Sequence, residues 1–343
     1  MRLSSRLGYA DGFREAAEHA VRLEEVGVDV VWVAEAYGYD AVSRLGYLAA
    51  CTRRIQLGSG ILPIYTRTPA LLAQTAAGLD ELSQGRAILG LGASGPQVIE
   101  GFHGVPYDHP VQRTREIIEI CRKVWRRDVV EYHGKVITLP LPPANGSGLG
   151  KPLKILTHPV RERIPIYLAS LGDRSVELTA ELADGWLPIF FVPERADRVW
   201  GNALRRGSGK RPPELAKLEI VAGGPLAIGD GLEHLRERER PHLALYIGGM
   251  GARSKNFYNQ LISQYGYERE AAEIQDLYLG GKKKEAEALV PSQLLDSLSL
   301  IGPDGFVKDR IAAFKAAGAT VLDVEPVGPD PYGDVARVRE WTV

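Results

Sequence analysis

A closed (β/α)8 barrel is the fold class the sequence predicts, on three observations. Short apolar runs of β type recur along the chain, helical periodicity fills the intervals between them, and the length of 343 residues is one that α/β barrels reach without dividing. The runs are Arg2 to Leu7, Val28 to Val33, Ile55 to Ile61, Ala87 to Leu91, Ile166 to Ala169, Gly185 to Ile189, Leu218 to Ile228 and Thr320 to Glu325. Strands alternating with helices give a parallel sheet with outer helices, and eight repeats favour closure because the last strand pairs with the first.

The first run demands most of the chain, since Ser4, Ser5 and Arg6 must alternate into and out of a barrel interior. The helix that follows, Phe13 to Val26, places Phe13, Ala16, Ala17, Ala20, Leu23 and Val26 on one face. A second clear helical pattern covers Val111 to Trp125. Residues 1–343 therefore read as a single domain with insertions at 129–152 and 231–297. The first holds the hairpin-like VVEYHGKVITL, with His133-Gly134 at its turn, and then LPPANGSGLGKP, a loop running over the surface. The second is long, charged and mostly helical, broken by YIGGMGARS at Tyr246 to Ser254. It reads either as a lid before the eighth strand or as an elaborated outer helix layer.

Composition narrows the class of partner. Apolar residues make up 45% and charged residues 25%, which is ordinary globular usage, and the formal net charge of -1 supplies no global attraction to nucleic acid or to an anionic membrane. No apolar run approaches the roughly 18 residues needed to cross a bilayer, and MRLSSRLGYADGF lacks a signal-type apolar core. Cys51 and Cys121, the two cysteines, fall in apolar helical patterns and read as buried reduced thiols of a cytoplasmic protein. There is no H-E-x-x-H, no Cys/His set with zinc spacing, no P-loop and no G-x-S-x-G, so no metal is expected.

Barrel enzymes carry function on the loops after their strands. The most informative such loop lies in SQGRAILGLGASGPQVIEGFHG, Ser83 to Gly104, where the run Ala87 to Leu91 breaks into Gly92, Ala93, Ser94, Gly95 and Pro96. These small residues let a ligand approach the backbone, and Ser94 can hydrogen-bond it. Gln97, Glu100 and His103 follow and are candidates to face a substrate. After the second strand, Glu35 stands at the strand tip, either as a hydrogen-bond acceptor for a ring system or as an exposed carboxylate at a helix start. After the fifth, Ser170, Leu171, Gly172, Asp173 and Arg174 open a helix whose free N–H groups suit a phosphate, with Arg174 adding charge; capping by Asp173 is the plainer reading.

Together with VWVAEAYGYDA (Val31 to Ala41) and LGSGILPIYTRTP (Leu57 to Pro69), the Ser83 to Gly104 stretch resembles the luciferase-like superfamily, and within it the oxidoreductases that use the deazaflavin coenzyme F420. The resemblance covers nearly the whole chain. It implies that Glu35 lies at the coenzyme head group, the only catalytic candidate. It also implies that Ser59, Gly60 and Ile61 form a bulge with a non-prolyl cis peptide at Gly60-Ile61 beneath the middle ring. Gly92, Ala93, Ser94 and Gly95 would border the ribityl chain, and Ser170, Leu171, Gly172 and Arg174 the phosphate, with Lys151, Lys154, Arg161 and Arg163 as nearby loop cations. Many relatives follow the acidic residue with His; here Ala36 stands there. The alternative cofactor is FMN, in a monooxygenase of the same superfamily, and a barrel that binds the cofactor without turnover is the non-enzymatic alternative. Relatives pair through the helices after the second and third strands, which implies a homodimer through Val42 to Ala50 and Ala70 to Leu82. The substrate expected is a small organic molecule.

Overall fold

The computed structural model describes residues 1–8 and 12–342. In chain order the strands are β1 (Arg2–Leu7), β2 (Val30–Val33), β3 (Gln56–Ser59), β4 (Leu62–Pro63), β5 (Ala87–Gly92), β6 (Tyr132–His133), β7 (Thr138–Leu139), β8 (Ile166–Ala169), β9 (Gly185–Trp186), β10 (Glu219–Ile228), β11 (Leu300–Gly302) and β12 (Val321–Pro326). The helices are α1 (Phe13–Glu25), α2 (Ala41–Cys51), α3 (Pro69–Leu82), α4 (Pro96–Gly101), α5 (Pro110–Trp125), α6 (Asp173–Leu182), α7 (Pro193–Ser208), α8 (Arg240–Ala244), α9 (Phe257–Gln264), α10 (Glu268–Leu279), α11 (Lys283–Ala288), α12 (Ser292–Ser297), α13 (Asp304–Ala316) and α14 (Pro331–Thr342).

Parallel pairing runs β1, β2, β3, β5, β8, β9, β10, β12 and returns from β12 to β1, where Ser4 lies opposite Asp323. The barrel is closed, as the sequence predicts. β11 is a strand the sequence reading passes over. It takes the edge of β10 at Leu226 to Ile228, beyond Glu219 and Ile220 where β9 pairs. Three apolar residues carry no alternation to read, so only the open edge of the long β10 reveals their pairing.

Alternation along β1 explains its polar sequence. Arg2, Ser4 and Arg6 point inward: Arg2 meets Glu219 and Gln56 at the N-terminal end of the barrel, Ser4 donates to Asp323 at 2.7 Å, and Arg6 pairs with Asp323 at 2.8 Å. Between these polar levels lies an apolar plug of Val30, Trp32, Ile88, Tyr167, Val221 and Val321. Ser4 is fully buried, and the bond to Asp323 satisfies its hydroxyl there.

Two expectations about the cysteines and the first insertion are corrected. Cys51, the last residue of α2, is exposed; Cys121 on α5 is buried, and burial pushes its thiol up to about 12. The hairpin β6–β7 exists, but its loop spans 134–137, with Gly134 donating to Ile137. Glu116 of α5 holds that loop by accepting from the backbone N–H groups of Lys135, Val136 and Ile137. Because this insertion joins the end of α5 to the start of β8, it belongs to the N-terminal end of the barrel, away from the strand tips.

Candidate active site

The C-terminal ends of β2, β3, β5 and β8 form one continuous arc, since each pairs with the next and Gly92 lies opposite Ala169. Small residues keep this arc open. A Cβ at Gly92 would stand 2.9 Å from the Ile61 side chain, and one at Gly60 would meet Trp32 Cβ at 3.1 Å. Ile61 therefore lies against the glycines, and the indole of Trp32 floors the space beneath Gly58 and Gly60. The Gly60-Ile61 peptide is cis, at the position the resemblance implies.

Of the six non-glycine residues with positive φ among the described residues, Gln84 and Arg127 follow helices at the opposite end of the barrel and four lie at this one. Ala36, Ser94, His109 and Phe190 all have positive φ, between 43° and 58°, and all follow strand tips or precede helices there. Such conformations cost on the order of 1–3 kcal/mol each and persist where the surroundings enforce them, a frequent property of ligand sites.

Glu35 is not a free group. Both its oxygens are held by Arg67, at 2.7 and 2.8 Å, and it also accepts from the Ala41 N–H at 3.1 Å. Arg67 reaches Asp40 as well, at 2.8 Å, and Asp40 caps α2 by accepting from Ser43. Hydrogen bonding to Glu35 holds the Arg67 charge more firmly than usual against the opposing effect of burial. Glu35 thus fixes the β2 loop against the β3–α3 loop. Arg67 is the residue sequence reasoning missed; its signal was present in YTRTP, but pairing with a residue 32 positions earlier is not a local property.

Ser59 is buried, and its hydroxyl donates to the Gly90 carbonyl and accepts from the Gly90 N–H, both at 2.8 Å. It ties β3 to β5 inside the barrel. Ala93, Ser94 and Gly95 line the loop before α4, where the Ser94 carbonyl accepts from the Tyr107 hydroxyl at 3.3 Å. Gln97 and Glu100 are exposed on the rim, with Glu100 accepting from Tyr107 N. His103 turns its Nε2 inward, where it has no partner among the described residues.

At the end of β8, the Ser170 and Leu171 carbonyls accept from the indoles of Trp186 and Trp200, each at 2.9 Å. The cap of α6 is Gly172, not Asp173; no side chain caps its first amides, and a Cβ at Gly172 would meet nothing within 4 Å. Asp173 instead pairs with Arg206 at 2.5 Å, which neutralises the one acid at this helix start. Arg174 is exposed and has no partner among the described residues. The site accordingly offers free N–H donors, the positive end of the helix dipole and an unpaired guanidinium, a set that fits a phosphate. The other loop cations do not join it. Arg161 pairs with Asp80 and Arg163 with Asp184, both at the N-terminal ends of strands, and Lys151 and Lys154 lie on the same connection.

Within this geometry the comparisons with known proteins carry weight. Residues 1–321 match the model of the luciferase-like monooxygenase family. The chain belongs to that family. This luciferase-like protein is 39% identical over 344 residues to a Mycobacterium tuberculosis protein provisionally named a coenzyme F420-dependent oxidoreductase, covering 98% of this chain and 99% of the other. It is 29% identical to the 5,10-methylenetetrahydromethanopterin reductase of Archaeoglobus fulgidus, over 91% and 90% of the two chains. Its fold superposes on the coenzyme F420-dependent tetrahydromethanopterin reductase of Methanopyrus kandleri with a TM-score of 0.80 at 23% identity, over 98% and 96%. Among the described residues no helix is long and apolar enough to cross a membrane.

Proposed function

We propose that this luciferase-like protein is an oxidoreductase that uses coenzyme F420 for hydride transfer to or from a small organic substrate. The observation that carries the reading is likeness over nearly the full chain, at 39% and 29% identity, to proteins named as F420-dependent or as a methylenetetrahydromethanopterin reductase. The site is consistent with it: an open arc bordered by Gly60, Gly92, Ala93 and Gly95, floored by Trp32 and Ile61, ends in a helix start suited to a phosphate. When bound, the deazaflavin supplies two-electron hydride chemistry, while the protein supplies orientation and a pocket that limits water.

The chain's own residues divide that work. Gly172 and the first amides of α6, with Arg174, would hold the phosphate. Ser94, Gly95 and Leu171 would border the chain between phosphate and ring. Glu35, held by Arg67, is a positioning residue for the β2 loop, and Gln97, Glu100 and His103 form the rim on the substrate side. Ala36 removes an imidazole from the β2 loop, which weighs against proton transfer from that position and against the FMN monooxygenase reading. Absorbance and fluorescence spectra of the purified protein mixed separately with F420 and FMN test the assignment: saturable binding of F420 is expected, and tight FMN binding with none of F420 would overturn it.

A further inference from the structure

A cavity of about 380 Å³ opens at the N-terminal end of the barrel, opposite the strand tips of the candidate active site. Arg2, Gln56 and Glu219, the first residues of β1, β3 and β10, form part of its wall, and Ile88 and Tyr167 of the apolar plug form its floor. Its volume lies in the range of small-molecule sites, roughly 300–1,000 Å³. The plug stands between this cavity and the arc of strand tips, so a ligand held here is not the reactant.

The acids on the wall are already engaged. Glu219 accepts from Arg2 through both oxygens, at 3.2 and 3.1 Å, and the Tyr167 hydroxyl donates to the same carboxylate. Asp184 is held by Arg163, by Arg122 at 3.5 Å and by the Ile166 N–H at 3.0 Å. The Thr320 hydroxyl accepts from the Ile220 N–H at 2.9 Å. No carboxylate lining the cavity is left without a cation.

Donors, by contrast, are left over. Gln56 accepts from Arg2 through Oε1, and its Nε2 has no partner among the described residues. Lys217 is exposed, and its ammonium has none either. Arg211 donates to the carbonyls of Ala180, Ala183 and Ala216, at 2.6 to 2.8 Å, and forms no ion pair among the described residues. Arg122 and Arg163 both attend Asp184, so with Arg211 and Lys217 the cations on this side outnumber the acids, Asp184 and Glu214. Burial weakens the hold of Arg211 on its proton, against Asp184 and with the neighbouring charges of Arg163 and Arg122.

We infer that this cavity binds a small organic carboxylate with a compact apolar body, its carboxylate paired with Lys217 and its body lying on Ile88, Tyr167 and Leu218. An anion gains a charge-assisted bond from an ammonium that no acid holds, and the body removes apolar surface of the floor from water. A cationic ligand would meet only carboxylates that already carry their partners. The inference is independent of the coenzyme and of the reaction at the other end of the barrel.

The test is an NMR titration of the purified protein with phenylacetate, its neutral isostere phenylacetamide, and acetate. Saturable binding of phenylacetate is expected, about tenfold tighter than that of either comparison compound. Lys217→Gln, a change at an exposed position, should bring the acid down to the level of the amide. Arg174→Glu, at the other end of the barrel, should leave phenylacetate binding as it is in the parent. No saturable binding of phenylacetate, or equal affinity for acid and amide, overturns the inference without any variant. Parent-like binding in Lys217→Gln, or loss of binding in Arg174→Glu, puts the acid at a different site and overturns it as well.

Discussion

Arg67 grips both carboxylate oxygens of Glu35, at 2.7 and 2.8 Å, with the two side chains only 14% and 11% exposed. A fork on a carboxylate in so dry a place is directional as well as attractive, so it fixes two loops at the candidate coenzyme site relative to one another. Removing the cation leaves a buried carboxylate without its counter-charge. Arg67→Met should destabilise the protein by about 3 kcal/mol and Glu35→Gln by about 1–2 kcal/mol, measured by urea unfolding. Arg67→Lys should fall between parent and Met, because a point charge cannot bind both oxygens in a plane. A parent-like midpoint for Arg67→Met would show the pair to be incidental.

Arg174 tests the phosphate end. Arg174→Glu should lower F420 affinity strongly while leaving thermal stability unchanged, since the side chain is exposed and unpaired among the described residues. Affinity of the parent should drop with added salt, and that dependence should flatten in the variant. Fluorescence titration at low and high salt measures both. Equal affinities in the two proteins would remove Arg174 from the site.

Glu24 sets an acid limit on stability. Burial alone would raise its carboxyl, but backbone N–H groups of Ile55, Arg54 and Arg53, at 2.7, 2.5 and 3.0 Å, more than offset that and hold it below its ordinary value of 4.5. A depressed folded-state value means that the unfolded chain binds the proton more readily. The contribution of Glu24 is therefore present above pH 4.5 and lost as the pH falls through the folded value. Glu24→Gln should lower the melting temperature at pH 7 and narrow its gap to the parent as the pH is brought well below 4. A gap that does not change with pH would show the effect to be packing rather than charge.

Helices α2 and α3 pack together and leave Tyr47, Leu71 and Leu82 exposed at 49%, 46% and 61%. Apolar side chains of this size on adjacent helices suit a self-complementary contact about a two-fold axis. Sedimentation should give a dimer at micromolar concentration, and Tyr47→Glu should shift it toward monomer. A monomeric parent would set the proposal aside.

The sequence alone determined the barrel, because strand and helix periodicities are local and eight of them leave little choice of closure. β1 was legible only as a strand in which Ser4, Ser5 and Arg6 must alternate; that Arg2, Ser4 and Arg6 are the inward set was decided by Glu219 and Asp323, far along the chain. The glycines at strand tips were legible too, and a Cβ there would crowd the Ile61 side chain at 2.9 Å from Gly92 and Trp32 at 3.1 Å from Gly60. The tertiary structure decided what depends on distant neighbours. Asp173 looked like a helix cap until Arg206 of α7 claimed it and left Gly172 in that place. Arg161 and Arg163 looked close to Arg174 along the chain, but β8 carries the chain from one end of the barrel to the other between them. Glu35 looked free because the guanidinium that holds it comes from another loop. A charge shows its type in the sequence, whereas its partner is chosen by which ends of which strands the closed barrel brings together.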